Sequence, residues 1–257
     1  MQKVINVYKP VGMTPLQLIK VLQQKYPEYA LTKIGYAGRL DPMAHGVMLL
    51  LVYPETQKRS HYQALSKVYR FECILGISTD TSDMLGLPTA FTSSPRTTEV
   101  ENSLTEYISS LPGKHKQEYP VYSSKTVEGK PLFWWAKNNK LSEISIPHKT
   151  IIITDANLVN IRETTFENLH NKFIQNIALV EGDFRQKHIV EKWSNLLLEH
   201  KSEQFTVATI EIACESGTYV RAICCEIGKH LGIGAAALDI NRLKVGDYSS
   251  EDSLKLM

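Results

Sequence analysis

Three stretches of the sequence carry residues able to do ion-pair or acid–base chemistry. The first is "YAGRLDPMAHGV", residues 36–47, with Asp41 between a glycine-rich turn and an apolar run. Pro42 moves the preceding residue out of the α region, so the backbone at Asp41 is expected to be extended. A carboxylate on a loop held by a rigid strand can be offered to a ligand. The plainer reading is an Asp-Pro turn whose carboxylate bonds its own backbone. The second is "SGTYVRAICCEIGKHLG", residues 216–232. If a helix starts near Thr218 or Tyr219, Arg221 sits in its first turn. The positive end of the helix dipole disfavours a cation there by roughly 0.3–1 kcal/mol. An anion should compensate: a surface glutamate, a phosphate or Asp41. The third is "KVYRFECILG", where Tyr69 heads an alternating strand. Tyr69 and Tyr219 read either as core packing or as rings that stack on a planar ligand.

The elements that must hold these residues follow from periodicity. Leu16, Leu18, Ile19 and Leu22 are spaced for a helix from Thr14 to Lys25, with Thr14 and Pro15 marking its start. Residues 47–52 form an apolar run short enough to be a buried strand. In "KVYRFECILG", Tyr69, Phe71, Cys73 and Leu75 share one face, with Arg70 and Glu72 opposite. "KTIIITDANLVNI" and "QFTVATIEIAC" read as further strands. Ile189, Val190, Trp193, Leu196 and Leu197 make a helical stripe over about 189–200. Val220, Ile223, Cys224, Ile227 and Leu231 predict a helix that stops at Gly232. Residues 89–145 hold most of the Pro, Ser and Lys clusters and read as a loop-rich insertion or mobile lobe. Its "KTVEGKPLFWWAKNNK" mixes lysines with aromatics, as an RNA-contacting lobe would, or as a solvated helix with its aromatics turned inward. Strands and helices mix without regular βαβ alternation. An α+β fold with a mixed, largely antiparallel central sheet flanked by helices and loops is therefore expected.

Composition narrows the function classes. The chain has 257 residues, 43% hydrophobic and 22% charged, with a net charge of +2. That is ordinary for a globular protein with a sizeable core and permits a nucleic-acid partner without requiring one. No signal peptide is expected from the N-terminus. "VMLLLV" is too short to cross a bilayer. Cys73, Cys214, Cys224 and Cys225 form no Cys-x-x-Cys pair, so reduced thiols in a cytoplasmic protein are expected rather than a zinc site. No histidine pair has metal-ligand spacing, and no P-loop or Gly-x-Gly-x-x-Gly is present. No metal or nucleotide cofactor is therefore expected.

"YKPVGMT", "GYAGRLDPMAHGV", "KVYRFECILGISTDTSDMLG", "EYPVYSSKTVEG", "SGTYVRAICCEIGKHLG" and "NRLKVGDYS" follow one another in the chain. Together they resemble the successive motifs of the TruB family, tRNA pseudouridine synthases that isomerise the T-loop uridine at tRNA position 55. The resemblance runs from about Val4 to Ser249. Leu-Asp-Pro-x-Ala-x-Gly-Val together with Gly-Thr-Tyr-x-Arg is its most specific part. It implies a pseudouridine synthase fold over a single catalytic domain, residues 1–257, without the C-terminal PUA domain of many relatives. It implies that Asp41 is the essential catalytic carboxylate and that Arg221 pairs with it. Tyr69, in Lys67-Val68-Tyr69, would stack on the base and take part in proton transfer. Lys9, Tyr36, Tyr219 and Ile240 would belong to the uridine site. The implied partner is the T-stem and loop of tRNA, met by a monomer away from any membrane. Such an enzyme must flip its target base out of the stack, and a nearby arginine keeps its carboxylate ionised.

The sequence departs from the family pattern in places. Tyr36 stands where histidine is usual, and that histidine is thought to help flip the base. Arg39 and His45 replace smaller residues, Asn241 replaces arginine, and Ile240 replaces leucine. Residues 171–204 are longer than the family needs. Two rivals follow: a synthase for a different RNA uridine, and a non-catalytic RNA-binding chaperone.

Overall fold

The apolar alternation of the sequence becomes a large central sheet in a computed structural model that describes residues 2–256. In chain order the elements are β1 (Val4–Lys9), α1 (Pro15–Lys25), β2 (Ile34–Ala37), β3 (Ala44–Val52), α2 (Arg59–Ala64), β4 (Lys67–Leu75), β5 (Ile77–Thr79) and β6 (Pro88–Phe91). Then come α3 (Thr97–Ser109), β7 (Gly113–Glu118), β8 (Thr126–Val127), β9 (Lys130–Pro131), α4 (Leu132–Lys137) and β10 (His148–Thr165). The chain continues through α5 (Phe166–Ala178), α6 (Gln186–His200), β11 (Gln204–Cys214), α7 (Val220–His230), β12 (Ala235–Val245) and β13 (Tyr248–Ser249). Among the described residues, nine strands make one sheet in the order β1-β3-β12-β4-β11-β10-β7, with β2 on β3 and β13 on β12. Its pairs are antiparallel except β3 with β12. The expected α+β class holds.

The period-2 pattern sorts side chains between the two faces. Met48, Leu50, Tyr69, Phe71, Cys73, Ile210 and Ile212 pack with α1, α3 and α7 in the main core. Ile74, Val207, Ala236 and Leu238 point the other way, onto Phe166, Phe173 and Trp193 of α5 and α6. Helix α1 starts as the sequence indicates: Thr14 and Gln17 form a reciprocal capping box, with Pro15 at the first turn. Helix α7 ends at His230, and Gly232 just beyond it has φ +69°.

Two stretches differ from their sequence reading. Within residues 89–145, α3 buries Val100, Leu104 and Ile108, and β7 joins the sheet edge beside β10. Ser, Thr and Glu on the solvent face of α3 conceal an apolar stripe of period four. Residues 171–200 belong to the hairpin α5–α6. Phe166, Leu169, Phe173 and Ile177 of α5 pack there with Ile189 and Trp193 of α6. Helix α6 begins at Gln186, three residues before its first apolar position, directly after Arg185 in a left-handed conformation.

Candidate active site

Asp41 lies on the loop between β2 and β3, and buried cations hold that loop at both ends. Arg242 on β12 spans it, donating from Nη2 to the Gly38 carbonyl before Asp41 (3.0 Å) and from Nε to the Val47 carbonyl after it (2.8 Å). Behind it, Lys9 at the end of β1 donates from Nζ to the carbonyls of Pro10 (2.7 Å), Met13 (2.8 Å) and Pro42 (3.3 Å). The Gly12 N–H also donates to the Pro42 carbonyl, at 2.8 Å. A turn does form here, since the Ala44 N–H bonds the Asp41 carbonyl at 3.1 Å. The carboxylate itself is directed elsewhere: Asp41 Oδ2 is 2.8 Å from Arg221 Nε.

Arg221 answers the dipole question from the first turn of α7. Its side chain is 4% exposed, while that of Asp41 is 35% exposed. The cation is sealed behind a carboxylate that opens outward. The Nε–H is not aimed along the line to the carboxylate, so charge and proximity, more than an aligned hydrogen bond, hold the pair. Arg221 Nη1 donates to the Thr81 carbonyl (2.7 Å) and Nη2 to the Tyr122 carbonyl (3.3 Å). A second carboxylate, Asp83, lies 3.7 Å from Nε. Burial alone would lower the Arg221 pKa, but Asp41 and Asp83 outweigh it, and the net shift is upward. The guanidinium is a permanent cation. Burial pushes the Asp83 carboxyl upward. Arg221 opposes that, as do the Thr81 hydroxyl (2.7 Å) and the Leu85 N–H (3.0 Å), both donating to Oδ1.

The aromatic residues gather around this pair. Tyr69 is buried on β4, its phenol pKa raised by burial, and both Arg242 and Asp41 act on it. Tyr219 precedes α7, and burial together with the Asp41 charge raises its pKa. The Gln117 side chain, from β7, clamps the Tyr219 backbone by accepting from its N–H (2.8 Å) and donating to its carbonyl (3.1 Å). The Tyr119 ring meets the Tyr219 ring edge-on at 5.6 Å. Ile240 is buried on β12, paired with Phe71 on one side and Ala44 on the other.

Lys9 and Tyr36 are the other residues expected at the uridine site. Lys9 is fully buried beneath the loop; its ammonium is spent on three carbonyls, so it supports the loop instead of reaching outward. Desolvation lowers its pKa to about 7. Tyr36 sits on β2, where Arg39 Nη2 donates to its hydroxyl (3.1 Å) and the Arg59 guanidinium lies 5.3 Å from its ring. His45 bridges Tyr8 and Asp239, with Nδ1 2.6 Å from the Tyr8 hydroxyl and Nε2 3.0 Å from Asp239 Oδ2. Asp83, Thr81, Tyr122, Gln117 and Arg242 were not singled out by the sequence reading. The acidic run "TDTSDMLG" was the visible signal for the first two.

No group of three or more His, Cys, Asp or Glu side chains suited to a metal ion occurs among the described residues. No helix among them is long and apolar enough to cross a membrane.

Residues 25–177 match the model of the TruB family pseudouridylate synthase (N terminal domain). The tRNA pseudouridine synthase B of Thermosipho melanesiensis is 25% identical over 250 residues, covering 97% of this chain and 66% of the relative. That of Caldanaerobacter subterraneus subsp. tengcongensis is 29% identical over 253 residues, covering 98% and 72%. The chain thus spans about two thirds of the length of these relatives. Among solved structures, a Cbf5-Nop10-Gar1 complex aligns with a TM-score of 0.60 at 17% identity, over 98% of this chain and 52% of that one. An H/ACA RNP bound to a substrate RNA containing 2'-deoxyuridine aligns with a TM-score of 0.57 at 16% identity, over 98% and 50%. These likenesses establish the fold.

Proposed function

The chain belongs to the TruB family of pseudouridylate synthases, and from that premise we propose that it isomerises uridine 55 in the T loop of tRNA to pseudouridine. The observation that carries this reading is the Asp41–Arg221 pair, with its anion turned outward and its cation sealed behind. A permanent cation at 2.8 Å fixes where the carboxylate sits and leaves its outer face to a ligand. Asp41 then either attacks C1′ or takes a proton from C2′ of the ribose. In both routes the C1′–N1 bond breaks, the uracil turns and C5 bonds to C1′. The C5 proton is lost and N1 regains one, so no oxidant or reductant is consumed.

Tyr69 and Tyr219 are the residues that would receive the flipped base, since bases stack on aromatic faces. Their raised pKa values keep both as phenols near neutral pH. Each therefore offers a ring and an O–H without adding a negative charge beside Asp41. All these groups come from one chain, so a monomer suffices. A tRNA-modifying enzyme of this kind would work in the cytoplasm. The lysines and aromatics of 125–140 would face the T-arm. Lys130 already lies 3.5 Å from the centre of the Trp134 ring.

The test is tritium release from [5-³H]uridine-labelled, unmodified tRNA, with the modified position mapped by mass spectrometry. Release at position 55 is expected. Release from another uridine would reassign the target, and binding without release would favour the chaperone reading.

A further inference from the structure

The hairpin α5–α6 is what the family motifs leave unexplained, and its connector touches the loops that build the site. A Cβ on Gly12 would come within 2.5 Å of the Leu179 carbonyl oxygen, so the α5 end lies directly on the Lys9–Gly12 turn. Glu181 Oε2 accepts from Gln17 Nε2 of α1 at 2.6 Å. Asp183 meets Lys137 of α4 at 3.7 Å. Arg185 reaches furthest. Its Nη1 lies 2.7 Å and its Nη2 3.3 Å from the two oxygens of Asp80, and its guanidinium lies 4.6 Å from the centre of the Tyr122 ring.

Those two partners adjoin Arg221. Asp80 precedes Thr81, whose carbonyl accepts from Arg221 Nη1, and Tyr122 supplies the carbonyl that accepts from Nη2. One guanidinium therefore grips both segments whose backbones orient the other. Arg185 also has φ 64° and ψ 22°, a left-handed conformation that is unfavourable for a non-glycine residue. Glycine would be cheaper there, so the side chain has to compensate. The connector is internally braced: Gln186 Nε2 donates to the carbonyls of Val180 (2.9 Å) and Gly182 (2.7 Å).

We infer that Arg185 is a positioning residue which, through Asp80 and Tyr122, sets the orientation of Arg221 on Asp41. Resting on the isomerase reading above, this gives the hairpin α5–α6 a function: it buttresses the candidate active site from behind.

The experiment uses the full chain with Arg185→Gly, which keeps the backbone conformation, Arg185→Lys, Asp80→Asn and the Arg185→Gly/Asp80→Asn double variant. Misplacing a group that orients the reacting centre costs rate more than binding. In Arg185→Gly, kcat should fall about 10-fold with KM for tRNA within about twofold. Arg185→Lys, which keeps the charge but not the planar fork, should fall about threefold. The double variant should be no worse than the weaker single one, since both break the same link. Unchanged kcat in Arg185→Gly, a loss confined to KM, or a double variant about 100-fold down would each overturn the proposal. An activity-independent arm follows the Arg221 Nε–H resonance, which should shift in Arg185→Gly. If the wild-type chain makes no pseudouridine, the isomerase reading fails and this resonance still decides: an unmoved signal overturns the positioning role.

Discussion

Two buried cations flank Asp41, and they live under different rules. Arg221 faces two carboxylates and keeps its charge. Lys9 donates hydrogen bonds only to neutral carbonyl oxygens; burial lowers its pKa from 10.5 to about 7, with the Asp41 charge opposing that shift and Arg242 adding to it. Burial is nearly complete in both cases. The partners make the difference: an anion offsets desolvation of a charge, while carbonyl dipoles do so only in part. Arg221 is suited to orienting Asp41. Lys9 is suited to bonding the loop that carries it. Lys67 follows the Lys9 pattern, with its ammonium on the carbonyls of Gln63 and Leu65 and a pKa lowered to about 8.

The largest effect should come from the anion both cations surround. Asp41→Asn is expected to reduce pseudouridine formation by at least roughly 10³-fold, with tRNA affinity retained. A near wild-type rate in the tritium-release assay would remove Asp41 from the chemistry. Next, Arg221→Lys keeps one charge but loses the fork that joins Asp41 to the Thr81 and Tyr122 carbonyls. Its kcat should fall on the order of 10²-fold, with melting temperature little changed. Full activity would show that charge alone suffices and would make the two cations alike. Asp83→Asn should cost less, about 10-fold in kcat, because Arg221 still has Asp41 as its nearer partner. A loss equal to that of Asp41→Asn would mean that the carboxylates act as one unit.

The smallest effect on rate, and the sharpest contrast, belongs to Lys9→Met. The folded-state pKa of Lys9 lies below its unfolded value, so the unfolded chain binds more protons between about pH 7 and 10.5. Stability then rises with pH across that window, by at most about 1.4 kcal/mol per unit from this group. Lys9→Met should lose that rise in urea unfolding at pH 7.5 and 9.5. A pH slope identical to wild type would show that Lys9 is not desolvated in the folded protein, and the contrast with Arg221 would collapse.

Much of the frame was legible in local patterns. Thr14 and Pro15 marked α1, the alternation from Tyr69 to Leu75 marked β4, and the stripe from Val220 to Leu231 marked α7. Helix α3 was obscured because Ser, Thr and Glu dominate its composition, although Val100, Leu104 and Ile108 keep helical spacing. The hairpin α5–α6 was half legible. The stripe around Trp193 showed α6; its partner α5 also keeps helical spacing at Phe166, Leu169, Phe173 and Ile177 behind the Thr165 cap, but only packing shows that this stripe meets Trp193.

By itself the sequence determined that Asp41 precedes a proline on a loop before a buried strand. It also determined that Arg221 enters a helix at the end that repels cations. Both follow from steric and dipolar rules acting over a few residues. The dipole rule by itself left open which anion Arg221 would meet, because a surface glutamate or a phosphate would have satisfied it; only the family resemblance singled out Asp41. Tertiary structure decided that. Antiparallel pairing of β4 with β11 and β12, and the parallel pairing of β3 with β12, bring Asp41, Tyr69, Asp83 and Arg221 together from distant parts of the chain. It likewise buried Lys9 under the loop and set Arg185 against Asp80, 105 residues away in sequence. Such contacts depend on sheet register and on the packing of whole elements. No local periodicity encodes them, because hydrophobic patterning says which face of an element is buried and not which partner it is buried against.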